Sequence, residues 1–326
     1  MNRAKKASAS CCSTSASPKL GRVRLGLCCL FRQVPIRFRA ATAASLRGLS
    51  RIRAIEKLSR ICLDNAISLQ RAVEWCAGHE IGAFRITSRL MPLATHPTLG
   101  YGFDSLPEGP EIKKTLRRAG MLAKELNIRL TFHPDQFVVL NSPHGAVLKS
   151  SIDELRYHSM MAQIVGADVI TLHGGGVYSD RKSALARLVK TIHRLPAAAR
   201  TYLALENDDK NFPPRDILRV CSETGLPMVY DSHHHRCLPD GLNAEEASLA
   251  AAATWKREPL FHISSPIKLN PNGTCDFRHH DFIRPSDFPM IWLNMTLTVE
   301  VEAKAREIAV LRLLRWLKGR HAGPAG

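Results

Sequence analysis

The stretch PMVYDSHHHR, residues 227–236, is where the sequence changes from an apolar strand to a dense cluster of ionisable side chains. Met228, Val229 and Tyr230 are typical of a buried strand, and Asp231 and three consecutive histidines follow closely. Such groups are not buried in a core unless a partner compensates them. A divalent cation is such a partner, because carboxylate and neutral imidazole are common metal ligands. The stretch alone also fits a solvated histidine-rich loop, so the rest of the chain decides.

Similar short apolar segments recur along the whole chain. Strands are predicted at residues 23–30, 81–86, 128–132, 168–172, 202–205, 228–230, 260–263 and 296–301. Helical periodicity follows nearly all of them, including two helices over 40–76 that meet near Arg51 and a last helix over 303–318. Alternating strands and helices predict parallel strands with right-handed crossovers. Eight such units in 326 residues favour a single-domain α/β fold, a TIM (β/α)8 barrel, over an open doubly wound sheet.

The two ends of the chain are predicted to lie outside the barrel, which spans residues 21–318. Residues 1–20 are rich in Ser, Ala and Lys and lack an apolar segment, so we expect a disordered basic tail and no secretory signal. Residues 319–326 are expected to be a flexible tail. No apolar run is long enough to span a membrane. The nine cysteines form no CxxC motif, which favours a reducing, cytoplasmic location.

The charge of the chain indicates a polyanionic partner. The formal net charge is +17, and residues 1–50 contain ten Lys and Arg but no Asp or Glu. A basic excess of this kind is typical of proteins that bind nucleic acid or an anionic membrane, although a general solubility charge is the simpler alternative. The chain has no GxGxxG or P-loop motif, so no nucleotide cofactor is predicted. A monomer is expected.

Polar residues fall at, or within one or two residues of, the C-terminal ends of the predicted strands. They are His133, His173, Glu206, Asp231, His262 and Glu302. Strand ends converge on one face of a barrel, where the carboxylates would repel each other without cations between them. Imidazole and carboxylate without thiolate favour Mn, Zn or Fe(II). Clustered metals of this kind activate water for phosphoester hydrolysis, and the basic chain makes a nucleic-acid backbone the natural substrate.

The chain also resembles a known family in several long motifs. These are FRITSRLMPLATHP, FHPDQFVVLNSP, LHGGGVY, LENDD, VYDSHHHRC, FHISS and VEAKARE. In order and spacing they are similar to the UV damage endonuclease family (UVDE) over residues 21–318. The resemblance implies a TIM barrel like those of endonuclease IV and xylose isomerase. It also implies an ATP-independent, metal-dependent nick in double-stranded DNA, immediately 5′ to a UV photoproduct or another distorting lesion.

The resemblance further implies a set of metal-site residues. They are His96, His133, His173, Glu206, Asp231, His234, His262, His279 and Glu302. Glu206 would be a bridging carboxylate, and a catalytic role is assigned to Glu206, Asp231, His262 and Glu302. The Asp-x-x-His spacing selects His234, so His233 and His235 are interpreted as lying behind the ligands or in solvent. The His-x-Asp-aromatic pattern selects His279 over His280. Two or three ions are expected, with Mn favoured and Zn or Fe as alternatives.

Lesion recognition is predicted to use other residues. A damaged nucleotide is partly unstacked already, and a wedge side chain can fill the gap that it leaves. Gln136 and Phe137 stand where the family typically has Gln-Tyr, although Phe137 also fits a core aromatic. Arg32, Arg37 and Arg39 are candidates for phosphate contacts.

The sequence departs from the family pattern at two places. Leu260 stands where members often have Lys, two residues before the histidine of FHISS, and Leu27 and Phe31 replace polar residues of a Gly-Tyr-x-x-x-Asn pattern. These departures leave the preferred lesion open. The competing hypotheses are an apurinic-site endonuclease, a sugar isomerase or epimerase of the xylose-isomerase type, and a non-catalytic DNA-binding or metal-storage protein.

Overall fold

Eight parallel strands form a closed barrel in chain order, as the sequence predicts. The computed structural model describes residues 21–268 and 275–321, and His321 only as the end of the last helix. The strands are β1 Val23–Cys28, β2 Ala83–Ile86, β3 Arg129–Phe132, β4 Val169–His173, β5 Leu203–Glu206, β6 Met228–Asp231, β7 Leu260–Ile263 and β8 Leu297–Val301. β1 pairs with both β2 and β8, and this pairing closes the barrel.

Helices surround the barrel. They are α1 Arg51–Gly78, α2 Gly109–Glu125, α3 Gly145–Val165, α4 Arg181–Arg194, α5 Ala197–Arg200, α6 Pro214–Thr224, α7 Ser232–Cys237, α8 Ala244–Ala253 and α9 Glu307–His321. The prediction of two helices over 40–76 is wrong. A 3-10 turn at Ala44–Leu46 precedes a single long helix, and the side chain of Ser50 caps that helix by accepting from the Arg53 N–H.

The last helix differs from its prediction at both ends. It begins at Glu307 instead of residue 303, and it continues three residues past the predicted end at Lys318. The predicted tails over 1–20 and 322–326 lie outside the described residues. Within the described part of the chain, no helix combines the length and the apolar character needed to cross a membrane.

The histidine-rich stretch after β6 is helical. Asp231 caps α7, because its Oδ1 accepts the backbone N–H groups of His233 and His234 at 2.7 and 2.8 Å. Backbone groups of the turn are therefore satisfied by the same carboxylate that ends the strand. This geometry fixes the direction in which each of the consecutive histidines leaves the backbone.

An apolar layer lies inside the barrel, which we call the apolar floor. It consists of Val169, Ala204, Val229 and Leu260, which pack together with Trp255 as a cluster separate from the main core. The first four precede a polar strand-end residue by two or four positions, and side chains two apart point to the same face of a strand. The apolar floor therefore lies beneath the polar residues at the C-terminal ends of the strands.

Candidate metal centre

Glu206 is the centre of the polar face. This fully buried carboxylate ends β5, and each of its oxygens faces two imidazoles. Oε2 lies 2.8 Å from His133 Nε2 and 3.6 Å from His173 Nε2. Oε1 lies 2.8 Å from His262 Nδ1 and 3.4 Å from His234 Nδ1. A carboxylate with a separate set of imidazoles at each oxygen has the geometry required to bridge two cations.

The donor atoms group around this bridge. Two groups of side chains, each with its ligand atoms within 4.8 Å of one another, share Glu206. One group is His133, Glu206, His262 and Glu302, and the other is Glu206, Asp231 and His234. Asp231 Oδ2 is buried and has no hydrogen-bond partner among the described residues. A buried carboxylate oxygen without a partner is costly, so the donor set fits a cluster of divalent cations.

Glu302 and His279 complete one side of the centre. Glu302 Oε1 lies 3.5 Å from His262 Nδ1, and Glu302 Oε2 lies 3.7 Å from His279 Nδ1. A β-bridge to Pro266 holds the backbone of His279 next to the end of β7. The neighbouring His280 instead has Nδ1 3.1 Å from the carbonyl oxygen of Phe282. This placement supports the choice of His279 over His280.

The electrostatics keep the carboxylates ionised. Burial alone would raise the pKa of Glu206, but His262, His173 and His133 hold that pKa well below its usual range. Burial would lower the pKa of His262, yet Glu206 above all raises that pKa to about 10. For His173 burial dominates and lowers the pKa to about 4. At neutral pH the centre therefore offers charged carboxylates beside at least one neutral imidazole, which are the ligand forms that a cation needs.

Two functional residues were missed by the sequence analysis. Arg85, in β2, donates from Nε to Glu300 at 2.6 Å and from Nη2 to Glu302 at 2.5 Å. Glu300 also accepts from the Thr131 hydroxyl and lies 3.1 Å from His262 Nε2. The signal was present, because alternation along TLTVEVE places Glu300 and Glu302 on the same face, and a charged residue interrupts the apolar strand AFRI.

Glu300 orients His262 from below the metal centre. Metal-binding histidines are commonly fixed by a carboxylate at the other ring nitrogen, and removal of that carboxylate costs roughly 10- to 100-fold in metal affinity. We therefore expect Glu300→Gln to weaken metal binding by about that factor. Competition with a chromophoric chelator measures the affinity. Glu258→Gln is the matched control, since Glu258 pairs with Arg24 at the opposite end of the barrel. Equal affinities of the two variants would contradict the assigned role.

Comparison with known proteins identifies the family. A model of the UV-endonuclease UvdE family matches residues 19–322. The chain belongs to the UvdE family. A UV DNA damage endonuclease of Bacillus cereus (strain G9842) is 30% identical over 285 residues, which cover 84% of this chain and 87% of that protein. SacUVDE, a crystal structure, matches with a TM-score of 0.80 at 29% identity and covers 92% of this chain and 99% of its own. Endonuclease IV from Thermus thermophilus shares the fold, with a TM-score of 0.57 at 14% identity and the same two coverages.

The departures of this UvdE chain from the pattern of its motifs have a common structural character. Leu260 belongs to the apolar floor, one layer beneath His262 on the same strand face. Leu27 is fully buried, and Phe31 packs edge-on against Trp75 with ring centroids 5.2 Å apart. All three positions are therefore occupied by core side chains, which offer no polar group to the metal centre or to a lesion.

His96 stands apart from the bridged groups of this UvdE chain. It is half-buried and belongs to none of the ligand groups found among the described residues. Its Nδ1 accepts from the backbone N–H groups of Thr98 and Leu99 at 3.3 and 3.2 Å. The ring lines a cavity of about 440 Å³ together with Asp135 and Phe137. The metal role of His96 remains a prediction.

Phe137 is an exposed aromatic in the loop between β3 and α3. Its side chain is 77% exposed, and Gln136 beside it is exposed as well. The alternative that Phe137 is a core aromatic is therefore wrong. A large apolar side chain left in solvent at the rim of a cavity is a candidate contact for a ligand or a partner.

The predicted phosphate-binding arginines lie near the C-terminal end of β1. Glu307 holds their loop, because its carboxylate accepts the backbone N–H groups of Arg32 and Gln33 at 2.7 and 2.6 Å. Arg32 and Arg37 line a cavity of about 480 Å³ that also includes Lys304 and Arg306. Arg39 is half-exposed and pairs with Asp64.

The two remaining histidines of α7 are not solvated. His233 and His235 are buried, so the prediction that they could lie in solvent is wrong. His235 Nδ1 lies 2.9 Å from the Tyr230 hydroxyl, and its Nε2 lies 3.2 Å from Asp240 Oδ1, which gives it an ordinary structural role. The ring of His233 faces two cysteines instead.

Proposed function

We propose that the chain nicks double-stranded DNA immediately 5′ to UV photoproducts or other distorting lesions, with a cluster of two or three divalent cations at Glu206. Membership of the UvdE family makes the chain a DNA repair endonuclease. The observation that carries the proposal is the pair of Glu206 oxygens, each of which faces two imidazoles. Mn²⁺ is the proposed ion, because imidazole and carboxylate without thiolate suit it, and Zn²⁺ or Fe²⁺ are the alternatives.

The proposed metal-site residues divide into the bridge and its surroundings. We assign metal binding to His96, His133, His173, Glu206, Asp231, His234, His262, His279 and Glu302. When bound, such cations make water a nucleophile at neutral pH and offset the negative charge on the phosphate. Glu206, Asp231, His262 and Glu302 form the catalytic centre, since their side chains are buried or nearly buried at the converging strand ends. Arg85 and Glu300 hold Glu302 and His262 in place.

The DNA is proposed to lie across the C-terminal ends of the strands. Arg32, Arg37 and Arg39 would contact phosphates, with Lys304 and Arg306 beside them. Gln136 and Phe137 would fill the space left by an unstacked nucleotide. We place the protein in the cytoplasm as a monomer, where its DNA substrate is available.

Strand nicking tests the proposed function directly. The substrates are a duplex with one pyrimidine photoproduct, a matched undamaged duplex and a duplex with one abasic site, each with Mn²⁺ and then with chelator. We expect a metal-dependent cut 5′ to the photoproduct. Cutting at the abasic site alone would replace the lesion assignment by an apurinic-site endonuclease. No cutting of any duplex would overturn the proposal and direct attention to small sugars as substrates.

Phe137→Ala tests the proposed wedge. Stacking of a base on an aromatic side chain contributes roughly 1–3 kcal/mol, so we expect photoproduct nicking at subsaturating DNA to fall about 10- to 100-fold. Bound metal should not change. Phe137→Tyr, which restores the residue typical of the motif, should keep the activity, and Met121→Ala on α2 controls for loss of an exposed apolar side chain. Equal activity of Phe137→Ala and Met121→Ala would exclude the wedge.

A further inference from the structure

A second cluster of metal-ligating side chains lies beside the bridged centre. His233, Cys237 and Cys275 offer ligand atoms that all lie within 4.8 Å of one another. His233 Nδ1 lies 3.7 Å from Cys275 Sγ and 4.0 Å from Cys237 Sγ. We propose that these three side chains form a separate site for a thiophilic divalent cation, with Zn²⁺ as the expected occupant. The inference does not depend on the proposed endonuclease activity.

The distances fit a tetrahedral cation without large movements. Zn–S and Zn–N bonds of about 2.3 and 2.0 Å at tetrahedral angles separate nitrogen from sulfur by about 3.5 Å. The same geometry separates two sulfurs by about 3.8 Å. The observed separations between His233 Nδ1 and the two sulfurs are a few tenths of an ångström larger. Cys237 and Cys275 are both free thiols, so both sulfurs are available as ligands.

Local structure explains how the three side chains meet. His233 and Cys237 are four residues apart on α7, a spacing that places two side chains on the same face of a helix. Cys275 comes from the segment between β7 and β8 that also carries His279. His234 follows His233 directly but points to Glu206, because successive residues of a helix are rotated by about 100°. The two neighbouring histidines therefore serve different sites.

The surroundings of His233 also favour a cation. The residue is fully buried, and among the described residues its ring nitrogens have polar contacts only with the two sulfurs. Thiols are weak hydrogen-bond partners, so a buried imidazole gains little from them. A cation that binds all three groups would compensate this burial.

The two sites differ in the metals that they select. The Glu206 centre has only imidazole and carboxylate donors, whereas this cluster has two sulfurs and one imidazole. Thiolates select Zn²⁺ over Mn²⁺. With three protein ligands, the fourth position is left to water or an anion. The ring of His279 lies 5.5 Å from that of His233, so a cation here would fix the segment that carries His279 next to α7.

Cobalt substitution separates this site from the Glu206 centre. The full-length protein is stripped of metal and reloaded with Co²⁺, and thiolate-to-cobalt charge transfer is followed in the near ultraviolet. Only a site with sulfur ligands gives this band. Cys11 and Cys12, outside the described residues, are replaced by serine in every protein tested. The variants are Cys237→Ser, Cys275→Ser and Glu206→Gln, with Cys221→Ala as the control for loss of a buried cysteine.

The expected result has three parts. The parent protein shows the thiolate band, and Zn²⁺ removes it by displacing Co²⁺. Cys237→Ser and Cys275→Ser each lose the band and about one equivalent of bound Co²⁺. Glu206→Gln and Cys221→Ala keep the band. Absence of the band in the parent, its persistence in Cys237→Ser, or a Cys237–Cys275 disulfide in protein purified with reductant would each overturn the inference.

Discussion

Replacing Glu206 by glutamine is expected to lower the rate of photoproduct nicking about a thousandfold and to reduce the amount of bound metal. Glutamine has the same shape but no charge, so it cannot bridge two cations. Metal ions contribute several kcal/mol to the stabilisation of charge in phosphoryl transfer, and about 4 kcal/mol corresponds to a thousandfold in rate. The measurements are nicking of the photoproduct duplex under single-turnover conditions and metal content by elemental analysis.

Glu258→Gln is the control for this experiment as well, because it removes a carboxylate that pairs with Arg24 far from the bridged centre. It should keep both the rate and the metal content of the parent. Circular dichroism shows whether each variant is folded. If folded Glu206→Gln retained the metal content of the parent and cut within tenfold of its rate, Glu206 would not be the bridging ligand.

Replacing Arg85 by leucine is expected to destabilise the metal-free protein by about 3–5 kcal/mol. Its guanidinium is nearly buried and is the common partner of Glu300 and Glu302. The substitution leaves two buried carboxylates without their cation, and breaking a buried ion pair from one side costs that much free energy. Urea unfolding in the presence of chelator measures the free energy of unfolding.

Arg219→Leu is the matched control for Arg85→Leu. Arg219 forms an exposed pair with Glu223 at 3.1 Å, and such surface pairs contribute roughly 0–1 kcal/mol. The same chemical change is therefore made in two environments that differ mainly in burial. Similar losses of stability in the two variants would show that the buried network contributes no more than a surface pair.

The Arg85 variant also has a predictable dependence on pH. In the parent, burial would raise the pKa of Glu300, but Arg85 above all lowers that pKa from 4.5 to about 2. A lowered pKa in the folded state stabilises the protein above pH 4.5 and loses this contribution as the pH falls toward 2. Without Arg85 the pKa of Glu300 rises, so the difference in stability between parent and variant should shrink as the pH falls through this range.

The barrel and the first circle of the metal centre could be predicted because the two share one signal. In a parallel barrel, a buried strand reads as an apolar run, and the first polar residue after it lies on the face where the strand ends converge. His133, His173, Glu206, Asp231 and His262 follow this rule, and the structure brings them together around Glu206. Strand bounds differed by only one or two residues.

Residues within strands or on long loops escaped that rule. Arg85 and Glu300 lie inside the barrel, and only their contacts across strands far apart in the chain show that they compensate each other. His279 lies on a loop whose path depends on a β-bridge to Pro266, so no local pattern could place it. The helix α7 was missed because three histidines are poor indicators of a helix, whereas the cap from Asp231 that starts it was not recognised.

The apolar floor has a consequence for the order in which the active complex assembles. Because Val169, Ala204, Val229 and Leu260 fill the barrel beneath Glu206, the bridged centre opens only at the C-terminal ends of the strands. Cations and DNA would then share one entrance. A duplex bound across it would act as a stopper, so the ions must be loaded before the DNA arrives, and bound DNA should slow their removal by a chelator.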